Sequence, residues 1–142
     1  MTYFRLFLIG VFFIFCNNTA TAQLNIGYNH SNIGSLVSVN YQLKKFNRFE
    51  PGLRLSLDNY VEDLHLEPVL QFQIIQKQDY VFYAGAGMWL DGFNNTLILP
   101  LGLNFVPFSN KQFQINTEVT PIFIDGMILR GSIGIKYQFA SK

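Results

Sequence analysis

The chain has 142 residues, of which 13% are charged, 49% hydrophobic and 16% aromatic; the charged share is about half that of an ordinary soluble domain. Lys and Arg number 10 against 9 Asp and Glu, so no net field would draw in nucleic acid and that class of partner is excluded. The length suits one domain, and one cysteine rules out an internal disulfide framework.

Residues 1–22 read as a cleaved secretory signal peptide: Arg5 is the only charge, an apolar run from Leu6 to Phe15 follows, and Ala20-Thr21-Ala22 offers the small residues a signal peptidase needs. The run is too short for the roughly 20 apolar residues of a membrane-spanning helix. Phe15 before Cys16 is unsuited to a lipoprotein site. Residues 23–142 are then the mature domain, with equal numbers of acids and bases and no thiol.

From Gln23 onward apolar residues recur at every second position, which is the period of a strand and not of an amphipathic helix. The pattern predicts strands over 24–30, 35–44, 49–58, 64–75, 79–91, 96–107, 112–124 and 127–139, separated by short stretches with Asn, Asp, Lys, Gly or Ser. In the third, Leu53 and Leu55 alternate with Glu50, Arg54 and Ser56; in the fourth, Leu66, Leu70 and Phe72 alternate with Glu67, Val69, Gln71 and Gln73. The sixth sets Leu97, Leu99, Leu101 and Leu103 against Ile98, Pro100, Gly102 and Asn104. The seventh sets Ile115 and Val119 against Asn116 and Glu118, and the eighth sets Leu129, Ile133 and Ile135 against Arg130, Gly134 and Lys136.

Alternation alone also fits a soluble barrel with its apolar face inward. The polar face here is mainly Gly, Ser, Asn and Gln with few charges, which suits a narrow interior better than open water. The apolar face is nearly continuous and as long as the roughly 9–11 residues a tilted strand needs to cross hydrocarbon. Fold class is therefore all-β: a closed up-and-down antiparallel transmembrane barrel of about eight strands with short connections.

With the N-terminus on the periplasmic side, the connections on that side carry Lys44, Lys45, Arg48, Lys77 and Lys111, and the opposite ones carry Asp58, Glu62, Asp63, Asp91 and Asp125. Aromatics crowd the expected periplasmic ends, among them Tyr41, Phe46, Phe49, Tyr80, Phe105, Phe108, Phe113, Tyr137 and Phe139, where a headgroup girdle would lie. Pro68, Pro100 and Pro121 fall inside segments and each removes a ladder donor, so bulges are expected near the outer rim.

The last segment contains Ser132-Ile133-Gly134-Ile135-Lys136-Tyr137-Gln138-Phe139. It resembles the C-terminal insertion signal of outer-membrane β-barrel proteins, with Ser132, Gly134, Tyr137 and Phe139 in the polar, glycine and aromatic places; Ala140, Ser141 and Lys142 extend past the usual end. The whole mature chain is similar in architecture to the small-barrel family typified by the membrane domain of outer-membrane protein A. The resemblance implies an outer-membrane location, contact with outer-membrane lipid, insertion by the barrel-assembly machinery, and a monomer. It also implies a plugged interior.

An eight-strand barrel leaves room for little more than side chains. The expected lumen network is Arg54, Glu67, Gln71, Gln73, Tyr83, Asn116, Glu118, Arg130 and Lys136, with opposite charges pairing across the interior. Gly85 and Gly87 beside Trp89 read as packing sites in a strand. His30 and His65 lack the partners of a metal site, Asp58, Glu62 and Asp63 read as an exposed acidic loop, and no cofactor is expected. His30-Ser31-Asn32 is distantly similar to the catalytic cluster of barrel-type lipid A deacylases, but adjacent strand residues face opposite sides, so the stretch reads as a polar hairpin. The leading function is a structural or interaction barrel without enzymatic activity. An outer-membrane lipid-modifying enzyme, a narrow ion channel and a secreted lipocalin-like carrier of an apolar ligand stand as alternatives, and no protein partner is identified.

Overall fold

A computed structural model describes residues 23–43, 46–56, 65–90, 95–109 and 111–139. The predicted signal peptide and most of the acidic positions assigned to the outer loops lie outside these residues. Strands run β1 (Gln23–Ser31), β2 (Gly34–Gln42), β3 (Phe49–Ser56), β4 (Leu66–Gln76), β5 (Tyr80–Leu90), β6 (Asn95–Ile98), β7 (Leu101–Phe105), β8 (Phe113–Ile122) and β9 (Ile128–Gln138).

Every strand pairs antiparallel with its neighbour, and β9 returns to β1 over Asn25↔Gln138 to Ser31↔Ser132. The sheet thus closes, which removes the free edge that hydrocarbon would penalise. The register is staggered. From Asn25, successive partners are Asn40, Gly52, Val69, Gly87, Ile98, Ile122 and Ile128. The path thus climbs from the end that holds Gln23 to the opposite rim, as tilted barrel strands require. The end with residues 23 and 139 is the terminal end, and the opposite rim is the far end.

The segment predicted over 96–107 forms two strands, β6 and β7, lying end to end between β5 and β8, so the barrel has eight staves. Two prolines explain the break. The Pro100 carbonyl accepts from the Gly85 N–H at 2.7 Å, yet Pro100 has no N–H to return. On the other side Leu99 N–H donates to the Pro121 carbonyl at 3.2 Å, and Pro121 again returns nothing. The bulges expected at the prolines do not occur there: Gly87↔Ile98 and Ala84↔Leu101 share one register across Pro100. A register shift falls instead between Gln73 and Ile75, near the terminal end of β4. A missing donor opens a gap in the ladder, whereas a shift needs an extra residue.

The apolar face points outward. Leu53, Leu70, Leu101, Val119 and Ile135 keep between 45% and 49% of their surface exposed. Among the described residues the buried hydrophobic ones are few, namely Leu36, Val69, Tyr83, Ile98 and Ile122, while the buried polar and charged set runs through every stave but β5, whose inward Tyr83 brings a hydroxyl instead. This inverted distribution is what a barrel in an apolar solvent requires. Outward aromatics gather at the terminal end, where Phe49 meets Phe72 in a tilted contact with ring centres 5.0 Å apart and Tyr137 meets Phe139 edge-on at 5.1 Å.

Candidate functional site

Because strand side chains alternate, the even residues of β3, β8 and β9 and the odd residues of β4 and β5 face the lumen. This puts Glu50 and Arg54, Glu118, Arg130 and Lys136, Glu67, and Tyr83 on one inner surface, all of them buried. The charges meet as three pairs across the barrel.

Nearest the far end, Arg130 of β9 holds Glu67 of β4 with a two-pronged contact of 2.5 and 2.8 Å. In the middle, Arg54 of β3 grips Glu118 of β8 at 2.7 and 2.6 Å. Nearest the terminal end, the Lys136 ammonium of β9 pairs with Glu50 of β3. A planar guanidinium matches a carboxylate edge to edge, so the two arginine pairs are geometrically fixed in a way the lysine pair is not.

Glu118 is the hub of the middle layer. It also accepts from Tyr83 Oη at 2.6 Å and Thr120 Oγ1 at 2.7 Å. Asn116 Nδ2 donates to Tyr83 Oη at 2.8 Å and to Asn104 Oδ1 at 2.6 Å. Tyr83 has room because its register partner is Gly102, where a β-carbon would come within 2.3 Å of the phenol. Gly85 and Gly87 serve the same purpose for backbone: added β-carbons would meet the Leu70 and Pro68 carbonyls at 2.8 and 2.5 Å.

All nine residues of the expected lumen network are buried, and the structure brings Arg54, Tyr83, Asn116 and Glu118 together in one hydrogen-bonded chain. Gln73 lies elsewhere, donating to Glu50 at 3.2 Å. Glu50 was outside the expected set although its even position on β3 matches that of Arg54; Asn25, Asn104 and Thr120 were outside it too. The lumen is not polar throughout. Near the far end, Val69, Ile98 and Ile122 pack with Trp89 and Ile124 into an apolar cap, and the Arg130 guanidinium lies 5.7 Å from the Trp89 ring centre.

Between the layers the space is nearly filled. A void of about 10 Å³ beside Arg54 and Tyr83 is at the lower limit for a single water. At the terminal end the lumen widens into a polar cavity of about 250 Å³.

The remaining sequence candidates stand apart. His30 is exposed and its Nδ1 lies 2.9 Å from Ser35 Oγ, while Ser31 is buried and donates to the Gly34 carbonyl at 2.5 Å. The two therefore face opposite sides. Among the described residues no group of three or more His, Cys, Asp or Glu side chains is placed to hold a metal. Gly134, in the segment that resembles an insertion signal, sits against β1, where a β-carbon would come within 2.1 Å of the Tyr28 carbonyl oxygen. Ser132 pairs with Ser31, and Tyr137 and Phe139 lie on the exposed face.

No protein-family model matches the chain, and no characterised protein matches it by sequence. Solved structures do match by fold. A barrel from the de novo design of transmembrane β-barrels gives a TM-score of 0.61 at 12% identity, covering 83% of this chain and 94% of that one. The N-terminal β-barrel domain of Pseudomonas aeruginosa OprF gives 0.60 at 9% identity, covering 83% and 96%. The Yersinia pestis outer-membrane protein Ail, solved in a phospholipid bilayer nanodisc, gives 0.53 at 15% identity, covering 83% and 98%. At these identities the likeness is one of fold: this chain folds as the small transmembrane β-barrels do.

Proposed function

We propose that the chain is a small integral outer-membrane barrel whose own side chains keep the interior shut, and that it serves a structural or interaction role without catalysis. The observation that supports this reading is the stack of three cross-lumen ion pairs, with only about 10 Å³ of free space beside the middle one. A hydrated ion cannot pass a site that holds at most one water. The terminal end then faces the periplasm, residues 1–22 are removed on export, and Ser132, Gly134, Tyr137 and Phe139 present the closing strand to the barrel-assembly machinery. Outer-membrane lipid covers the apolar surface of a monomer.

Two measurements test this. Cell fractionation followed by gels of boiled and unboiled samples is expected to place the protein in the outer-membrane fraction with heat-shifted mobility; recovery as a soluble protein without detergent would favour the carrier alternative. Planar-bilayer recording of the refolded chain is expected to give no steady conductance. Steady ion flow through the unmodified protein would replace the plugged reading with a channel.

A further inference from the structure

The cavity at the terminal end is lined mainly by amides, including Gln23, Gln42, Gln114 and Gln138, over a floor made by Glu50 and Lys136. Glu50 dictates how two of the amides lie. Its carboxylate accepts from Asn25 Nδ2 and from Gln73 Nε2, each at 3.2 Å. An ionised carboxylate has no proton to give, so the amide nitrogens must face it and the amide oxygens must turn away. Asn25 Oδ1 and Gln73 Oε1 are both buried and have no hydrogen-bond partner among the described residues. Their side chains belong to residues only 2% and 5% exposed, and both line the cavity.

A buried acceptor without a donor is destabilising, so two beside one cavity suit a guest that donates hydrogen bonds once the amides turn toward it. Charge then selects among donors. Lys77, Lys111 and Lys136 line the cavity against one acid, Glu50, which Lys136 already neutralises. Among the described residues Lys77 and Lys111 form no ion pair. An ammonium guest is therefore repelled, and a hydroxyl-rich guest bearing a carboxylate is favoured. Hydroxyls both donate and accept, which also suits the two-sided chemistry of the glutamine walls. A volume of about 250 Å³ falls just below the roughly 300 Å³ at which small-molecule pockets begin, so it takes about one sugar ring. The register shift between Gln73 and Ile75 lies beside one of the two acceptors, as irregularities that aim a side chain at a site often do.

We propose that this vestibule is a binding site for an acidic monosaccharide unit, whose entry turns the Asn25 and Gln73 amides so that its hydroxyls donate to Asn25 Oδ1 and Gln73 Oε1, and whose carboxylate lies against Lys77 and Lys111. This goes beyond the plugged-barrel reading and does not depend on the barrel's location in the cell.

The test uses the refolded chain in a zwitterionic, sugar-free detergent, because alkyl glycosides would themselves compete. Glucuronate, glucose and glucosamine are titrated while the side-chain amide NMR signals of Asn25 and Gln73 are followed. Saturable shifts are expected with glucuronate, with affinity about tenfold above glucose and glucosamine weakest. The exposed pair of changes Lys77→Gln with Lys111→Gln should abolish the preference for the acid, and Gln73→Met should weaken glucuronate and glucose by about tenfold. Heat-shifted gel mobility checks the fold of each variant; if Gln73→Met does not fold, the lysine pair carries the test. Absence of saturable shifts with all three sugars, equal affinity for all three, or shifts indifferent to both sets of variants would overturn the site and leave a vestibule that holds only water.

Discussion

The two halves of the lumen solve the same problem in different ways. Toward the far end, two arginine forks clamp two glutamates beneath an apolar cap of Val69, Ile98, Ile122, Trp89 and Ile124. Toward the terminal end, one lysine meets one glutamate at the floor of a polar cavity, among amides that bond only partly to one another. The first half is closely packed and geometrically determined; the second is open and adaptable. A charge pair excluded from water is held by the protein alone, so its geometry is set by two-pronged contacts, although Arg130 Nε is left without a hydrogen-bond partner among the described residues. A pair at an open mouth can instead be held partly by solvent.

The contrast is sharpened first by removing the central acid. Glu118→Ala strands Arg54 and Tyr83 in the closely packed half and should destabilise the barrel by about 3–5 kcal/mol. Urea unfolding from lipid vesicles, followed by the fluorescence of the one tryptophan, Trp89, would measure it. Next, Arg54→Lys keeps the charge but loses the fork, and should cost about 1.5–3 kcal/mol through lost charged hydrogen bonds in the same unfolding assay. Gly102→Ala drives a methyl group into the Tyr83 ring and is expected to cost about 1–3 kcal/mol by overpacking. Glu50→Ala should be mildest, at about 1–2 kcal/mol, because water in the vestibule can hydrate the released Lys136 ammonium. A loss from Glu50→Ala equal to that from Glu118→Ala would erase the distinction between the halves.

Much of this architecture is legible in the residue order. Strict alternation around Arg54, Glu118 and Arg130 gives their face, because a strand offers only two sides. It does not give partners. Arg54 and Glu118 are 64 residues apart in sequence and meet because of the stagger around the barrel, which no single segment records. Glu50 was legible by the same alternation, since it shares the even face of β3 with Arg54, and only its pairing with Lys136 needed the closed sheet. The apolar cap is less legible: Val69, Ile98 and Ile122 occupy inward positions on staves whose other inward residues are largely polar, and only the tilt that brings them to one level reveals a cluster. Prolines were legible as interruptions but not in kind. Pro100 and Pro121 each lack one donor on opposite sides of the same stave, which divides it without displacing its register.

Both halves of the lumen exist only if the leucine-rich face meets lipid, and a nitroxide scan along β6 and β7 in refolded lipid vesicles tests that most directly. Labels at Leu97, Leu99, Leu101 and Leu103 are expected to be open to oxygen dissolved among the acyl chains, and labels at Thr96 and Ile98 shielded from it. A flat profile, or one with the high and low positions exchanged, would contradict the barrel described here.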